Sequence, residues 1–210
     1  MLHHKPKRKK EELQDKVGYS WPGSLSRWCT TQLKTSVIEQ HLRDLRERYQ
    51  LTQYIGLAAD EGYRLDRKNN QDPNMRFPLV EWGWDESTAL DYCYNKGYDW
   101  EGLYKIFKRV SCWCCPLQSL EELRKLRLHL PELWEKLKDL DNQTWRTFKS
   151  NNQSVEYLEM RFDLEEALAE KGYSITNRAF HLDLKRLLGG ETTIEEIIQE
   201  REAQQKISLE

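Results

Sequence analysis

Between Thr31 and Tyr49 the apolar residues Leu33, Val37, Ile38, Leu42 and Leu45, with His41 among them, recur at helical spacing while charges fill the other face. This pattern predicts a helix that starts just after Cys29. Leu51 to Ala59 is short, apolar or β-branched, and closed by the acidic pair Asp60 and Glu61, which predicts a buried strand. A helix followed by a strand points to an α/β layer. Pro73 and Pro78 mark Asn69 to Pro78 as loop, and Asp85 caps a helix running to about Lys96, with Gly97 as its stop. That helix turns Ala89, Leu90 and Cys93 to its apolar face. After an aromatic stretch from Tyr98 to Phe107 and a loop at Cys112 to Pro116, Ser119 and Glu122 form a capping box for a helix to about Leu128. Pro131 then opens another helix at its first turn.

From Asp141 onward the pattern is helical throughout. Helices are predicted at Ser154 to Ala169, at Asn177 to Leu188 and at Ile194 to Gln204, with a turn at Gly172. The last is capped by Thr192 or Thr193 after the Gly189-Gly190 break. No internal repeat and no second domain of globular size are visible. The chain divides into a basic tail (1–17), a cysteine-bearing domain (18–140) and a helical appendage (141–210). The fold class expected is a helix-rich α/β arrangement.

Composition sharpens this picture. The 210 residues are 38% hydrophobic and 32% charged, and eight Trp with ten Tyr argue against disorder because such rings need burial. A net charge of -2 supplies no global attraction to nucleic acid or to an anionic membrane. The cluster Lys5, Lys7, Arg8, Lys9 and Lys10 reads as a solvated, partly disordered tail, with a nucleic-acid arm as the alternative. No apolar run approaches the roughly 20 residues of a bilayer span, and no secretory signal is visible, so a cytoplasmic chain is expected.

Five cysteines, three of them within four residues, make a poor disulfide framework, because neighbouring cysteines rarely both reach partners of good geometry. Cys112, Cys114 and Cys115 stand in Ser-Cys-Trp-Cys-Cys-Pro between two helices, where turns can aim several sulfurs at one point. Thiolates bind metal, and nearby Arg109 and helix amino termini favour the charged form. Three readings remain open: a metal cage completed by Cys29, a redox thiol pair, and inert buried cysteines. Within the first, adjacent cysteines fit poorly around one small zinc ion, whereas a 4Fe-4S cluster offers four separate corners. The cluster is therefore preferred, with zinc as the alternative. Cys93 reads as structural.

The order Arg27-Trp28-Cys29-Thr30 with Lys34, the strand ending near Gly56 to Asp60, Pro78-Leu79 with Trp82 to Asp85, and Cys112-x-Cys114-Cys115-Pro116 resembles the phosphoadenosine phosphosulfate reductase family, roughly over Gly18 to Leu140. The resemblance implies a partial adenine-nucleotide-alpha-hydrolase-like sheet and a 4Fe-4S cluster held by an early cysteine pair and a later CxxC loop. Cys29 would stand in the early pair, and Cys112 with Cys115 in the later one. Thr30 occupies the second place of the early pair, leaving Cys114 or an outside group as the fourth ligand. It also implies that Arg27, Lys34 and Arg64 face phosphates or sulfate, and cations of this kind neutralise such anions directly.

Two family features are absent from the sequence. No Ser-Gly-Gly-x-Asp-Ser PP-loop offers backbone amides to phosphates. No cysteine follows Cys115, so the carboxy-terminal nucleophile of the reductases is missing. The expected function is the cluster-bearing part of an oxidoreductase or sulfurtransferase of sulfur and adenine-nucleotide chemistry, incomplete alone. Such a part would bind an adenine nucleotide or sulfonucleotide only together with a PP-loop-bearing partner chain. Two alternatives stand beside it: a non-catalytic, metal-stapled interaction module, and a stand-alone enzyme using Cys114 or Cys115 as nucleophile.

Overall fold

The computed structural model of the protein describes residues 7–67 and 70–207. Lys5 of the basic cluster and Asn69 of the expected loop lie outside them. The chain divides into two units, one being Arg27–Val110 and the other the chain up to Ser26 together with the chain from Ser111 onward.

In Arg27–Val110, one helical run comprises α1 (Trp28–Thr30), a π-helical turn (Thr31–Thr35) and α2 (Ser36–Arg46). The predicted start is corrected here. The Arg27 carbonyl accepts from the N–H groups of both Thr30 and Thr31, at 3.0 and 3.3 Å, so the helix opens at Trp28 and Cys29 lies inside its first turn. Leu33, Val37 and Ile38, the stripe that defined the helix, are 53%, 60% and 55% exposed, while Leu42 and Leu45 are half-buried.

The predicted strand is also shorter than its apolar pattern. Only Gln53–Tyr54 (β1) pairs, in parallel with Met75–Arg76 (β2), with Gln53 opposite Met75 and Tyr54 opposite Arg76. Gln53 N–H donates to Asn74 O at 2.8 Å and Ile55 N–H to Arg76 O at 2.9 Å. β2 falls in the stretch expected to be loop. Two paired residues between Pro73 and Pro78 leave no alternation to read, because a period of two needs several residues to show itself. Beyond β1 the chain buries Leu57 and Ala58 and turns through a 3₁₀ segment, Ala59–Arg64.

Two short elements and one longer helix follow: α3 (Pro78–Glu81), with proline at its first turn, α4 (Glu86–Asn95) and α5 (Leu103–Ile106). The Asp85 carboxylate accepts from Thr88 N–H at 2.7 Å, and Gly97, at φ +84°, ends α4 as its sequence predicts. Ahead of α5, Trp100 and Glu101 both take positive φ, +48° and +56°. Few non-glycine residues do so without strain.

In the other unit the helices are α6 (Leu120–His129), α7 (Pro131–Asn142), α8 (Val155–Glu170), α9 (Arg178–Leu188) and α10 (Ile194–Ile207). Their caps are those the sequence announces: Ser119 accepts from Glu122 N–H, Ser154 from Tyr157 N–H and Asn177 from Phe180 N–H. Thr193 and Glu196 exchange bonds in a capping box, Glu196 N–H to Thr193 Oγ1 and Thr193 N–H to Glu196 Oε2. α8 is central because it carries two apolar stripes. Leu158 and Phe162 lie on the stripe shared with Glu165, and Leu164 with Leu168 packs into a cluster with Phe180, Leu184, Leu187 and Ile197.

Charge seals the side of α8 that meets α6 and α7. Arg124 and Arg161 donate to the buried Glu165 at 2.6 and 2.8 Å, and Arg127 donates to Glu159 at 2.6 Å and to Asp163. Asp141, at the end of α7, accepts from Val155 N–H at 2.7 Å and from the Trp21 indole at 2.6 Å, tying the loop before α1 to the start of α8. From the basic tail, Arg8 donates to the carbonyls of Leu13, Lys16 and Gly18 and lies over the Trp145 ring. The molecule is thus helix-rich, with a small parallel sheet of two strands among the described residues. Among them no helix is long and apolar enough to cross a membrane.

Candidate functional site

The stretch from Cys112 to Gln118 is folded by its own backbone. Cys115 N–H donates to Cys112 O at 3.0 Å, and Gln118 N–H donates to Cys115 O at 3.1 Å, giving two successive turns. The Gln118 side chain reaches back to the carbonyls of Cys112 (2.6 Å) and Trp113 (3.3 Å). Pro116 is buried, Cys114 and Cys115 are half-buried and Cys112 is exposed. All five cysteines are described, and none is joined in a disulfide. The CxxC spacing of Cys112 and Cys115 therefore closes a turn.

A side chain from further along the chain completes the loop. Lys149 donates to the Pro116 carbonyl at 2.8 Å and to the Gln118 carbonyl. Burial pushes its ammonium below the usual lysine range, and the charge of a nearby Cys115 thiolate pulls the other way. No local pattern marks this lysine, since beside Arg146 it looks like any solvated cation. Gln118, within the loop's own turn spacing, was the more findable of the two supporting residues.

The remaining candidates lie in Arg27–Val110. Cys29 is half-buried in α1, which runs directly into the π-helical turn that holds Lys34. π-helical turns inside α-helices occur often at functional sites. Arg27 and Lys34 are exposed. Arg64 pairs with Glu61 at 2.6 Å, and its buried Nε has no hydrogen-bond partner among the described residues. Cys93 lies half-buried on α4, three positions beyond the half-buried Leu90.

The donor set of the loop, three thiols within four residues beside a lysine, suits a thiophilic cation or cluster. Among the described residues no three His, Cys, Asp or Glu side chains already converge in a metal-holding arrangement. The fit thus lies in the chemistry and the folded turn, with the sulfurs still to be drawn together.

No protein-family profile matches the chain, and no solved structure matches it. It is similar to two uncharacterised proteins of Methanocaldococcus jannaschii. One, MJ0066, is 25% identical over 138 residues, covering 60% of this chain, and the other, MJ0973, is 25% identical over 122 residues, covering 54%. The match spans 28% of the length of each relative, so in both the related stretch sits within a much longer protein.

Proposed function

We propose that this chain is the cysteine-bearing part of an enzyme of sulfur and adenine-nucleotide chemistry, of the phosphoadenosine phosphosulfate reductase type, working with a separate PP-loop-bearing half. The observation that carries the reading is the Cys112–Gln118 loop: three thiols on turns already closed by backbone and side-chain hydrogen bonds. The small parallel sheet is the piece of an adenine-nucleotide-alpha-hydrolase-like sheet that this half contributes. The related stretches in the two longer archaeal proteins support a segment that operates within a larger assembly.

In this reading Cys112, Cys114 and Cys115 hold a 4Fe-4S cluster, or zinc in the alternative. A bound cluster supplies one-electron redox chemistry. The chain's own residues do the rest. Arg27 and Lys34 offer cations on either side of Cys29 to a phosphate or sulfate, and Arg64, paired with Glu61, is a third cation for such a group. Without backbone amides to join them, these cations hold a nucleotide weakly, and the partner half supplies the amides.

Anaerobic purification followed by an absorption spectrum and iron, zinc and sulfide analysis tests the reading. Metal at about one site per chain, lost on replacing Cys112 and Cys115 by alanine, is the expected result. A chain that takes up neither iron–sulfide nor zinc ends it. By calorimetry, ATP, adenylyl sulfate and phosphoadenosine phosphosulfate should bind the isolated chain weakly or not at all.

A second reading, a metal-stapled interaction module without catalysis, is favoured by the rings of Tyr54, Tyr63, Trp82 and Tyr98, each more than 60% exposed. Rings of this kind mark a partner surface where they form one contiguous patch. A co-purifying partner that lacks a nucleotide site would favour it over the first.

A further inference from the structure

Lys149 reaches the cysteine loop from 33 positions beyond Pro116 and 31 beyond Gln118. The two carbonyls it binds flank Leu117, where the chain leaves Cys115 for α6. One ammonium thus pins both sides of the loop's exit. Gln118 pins the entrance through the carbonyls of Cys112 and Trp113.

The lysine is itself held in place. Its N–H donates to Gln153 O at 2.9 Å, and the adjacent Phe148, 1% exposed, meets the Trp21 ring edge-on at 5.0 Å. A backbone fixed in this way gives the ammonium a narrow range of positions. Burying part of a lysine is unfavourable unless polar groups replace its water, and here two carbonyl oxygens do so.

We propose that Lys149 is the positioning residue of the cysteine loop: by donating to the Pro116 and Gln118 carbonyls it holds closed the turn that carries Cys112, Cys114 and Cys115, and so governs both access to the thiols and the loop's capacity for metal. The metal half of this statement rests on the function proposed above; the access half does not.

The test uses the full chain with Lys149→Met, which keeps the stem and removes every donor, and Lys149→Arg, which restores donors. Iodoacetamide labelling of reduced, metal-free protein is followed cysteine by cysteine by mass spectrometry. Cys114 and Cys115 should be alkylated about fivefold faster or more in Lys149→Met, the change expected when local opening loses a hydrogen bond. Cys112, already exposed, should change little, and Lys149→Arg should return most of the protection. With iron and sulfide, or with zinc alone, Lys149→Met should bind about tenfold more weakly than the parent.

Unchanged labelling of Cys114 and Cys115 in a folded Lys149→Met overturns the proposal. Faster labelling together with a parent chain that takes up no metal upholds the clamp and ends the metal reading. If Lys149→Met loses its helical signal, Lys149→Gln, which retains an amide donor but neither the charge nor the reach, replaces it under the same criterion.

Discussion

The stretch from Ser111 onward and the stretch Arg27–Val110 treat their large side chains in opposite ways. In the first, Trp134, Phe148, Phe162 and Phe180 are at most 2% exposed, along with a run of leucines from α6 to α9. In the second, Leu57, Ala58 and Phe107 are the buried hydrophobic residues among those described, while Tyr54, Tyr63, Trp82 and Tyr98 stand in solvent. The helical unit is specified by its own burial. The other holds its shape through turns, caps and a sheet of two residues per strand, and keeps its rings available.

The largest expected break in this contrast is Trp134→Ala. Removing that indole should cost about 3–5 kcal/mol in chemical denaturation, since a packed cavity cannot fully collapse. Glu165→Ala should cost about 2–3 kcal/mol, because Arg161 loses its acceptor in a buried setting while Arg124 regains water. Acid should have the same sense. Burial alone would raise Glu165 and Glu159, but hydrogen bonds from Arg124 and Arg161 on the one, and from Trp134, Lys138 and Arg127 on the other, hold both below the ordinary value of 4.5. Their stabilisation is complete above that value and fades as pH falls through the lowered ones, so the melting temperature should drop below about pH 4.5, and less steeply in Glu165→Gln. Asp141 has the opposite sign. Burial raises its carboxyl, so its contribution is present below the ordinary value and is lost as pH rises through the raised one.

Asp141→Ala should cost about 1–2 kcal/mol by leaving Val155 N–H and the Trp21 indole without an acceptor, and the melt should show it. At the small end, Ile38→Ala on the exposed stripe of α2 should change stability by less than about 0.5 kcal/mol. A cost above about 2 kcal/mol would show that this face is covered in solution and would dissolve the contrast between the two regions.

The helices from α6 onward were legible because each signal there is local. Ser119, Ser154, Asn177 and Thr193 declare their helix starts by residue type and spacing, and Gly172 and Gly190 take the positive φ that ends or breaks a helix. What escaped the sequence depends on partners distant along the chain. β2 exists because Asn74 and Arg76 carbonyls meet N–H groups of Gln53 and Ile55, and nothing in Pro-Asn-Met-Arg-Phe-Pro says so. The cysteines were visible as a constellation, but Lys149 was not, because its role is set by a contact across more than thirty residues. The thiol of Cys29 is visible in the sequence, yet its place within the first turn of α1 follows from the Arg27 carbonyl, which no propensity marks.

The π-helical turn Thr31–Thr35 has an arithmetic consequence for that cysteine. A π-turn accommodates one residue more than an α-turn, and one residue in an α-helix corresponds to a rotation of about 100°. The extra residue therefore sets the phase of Cys29 relative to α2. Excising one residue between Thr31 and Thr35 should leave a continuous helix by circular dichroism while swinging Cys29 and Arg27 about a quarter-turn around its axis. A single-residue insertion is thus a steering element, aiming the thiol without altering the helix that carries it.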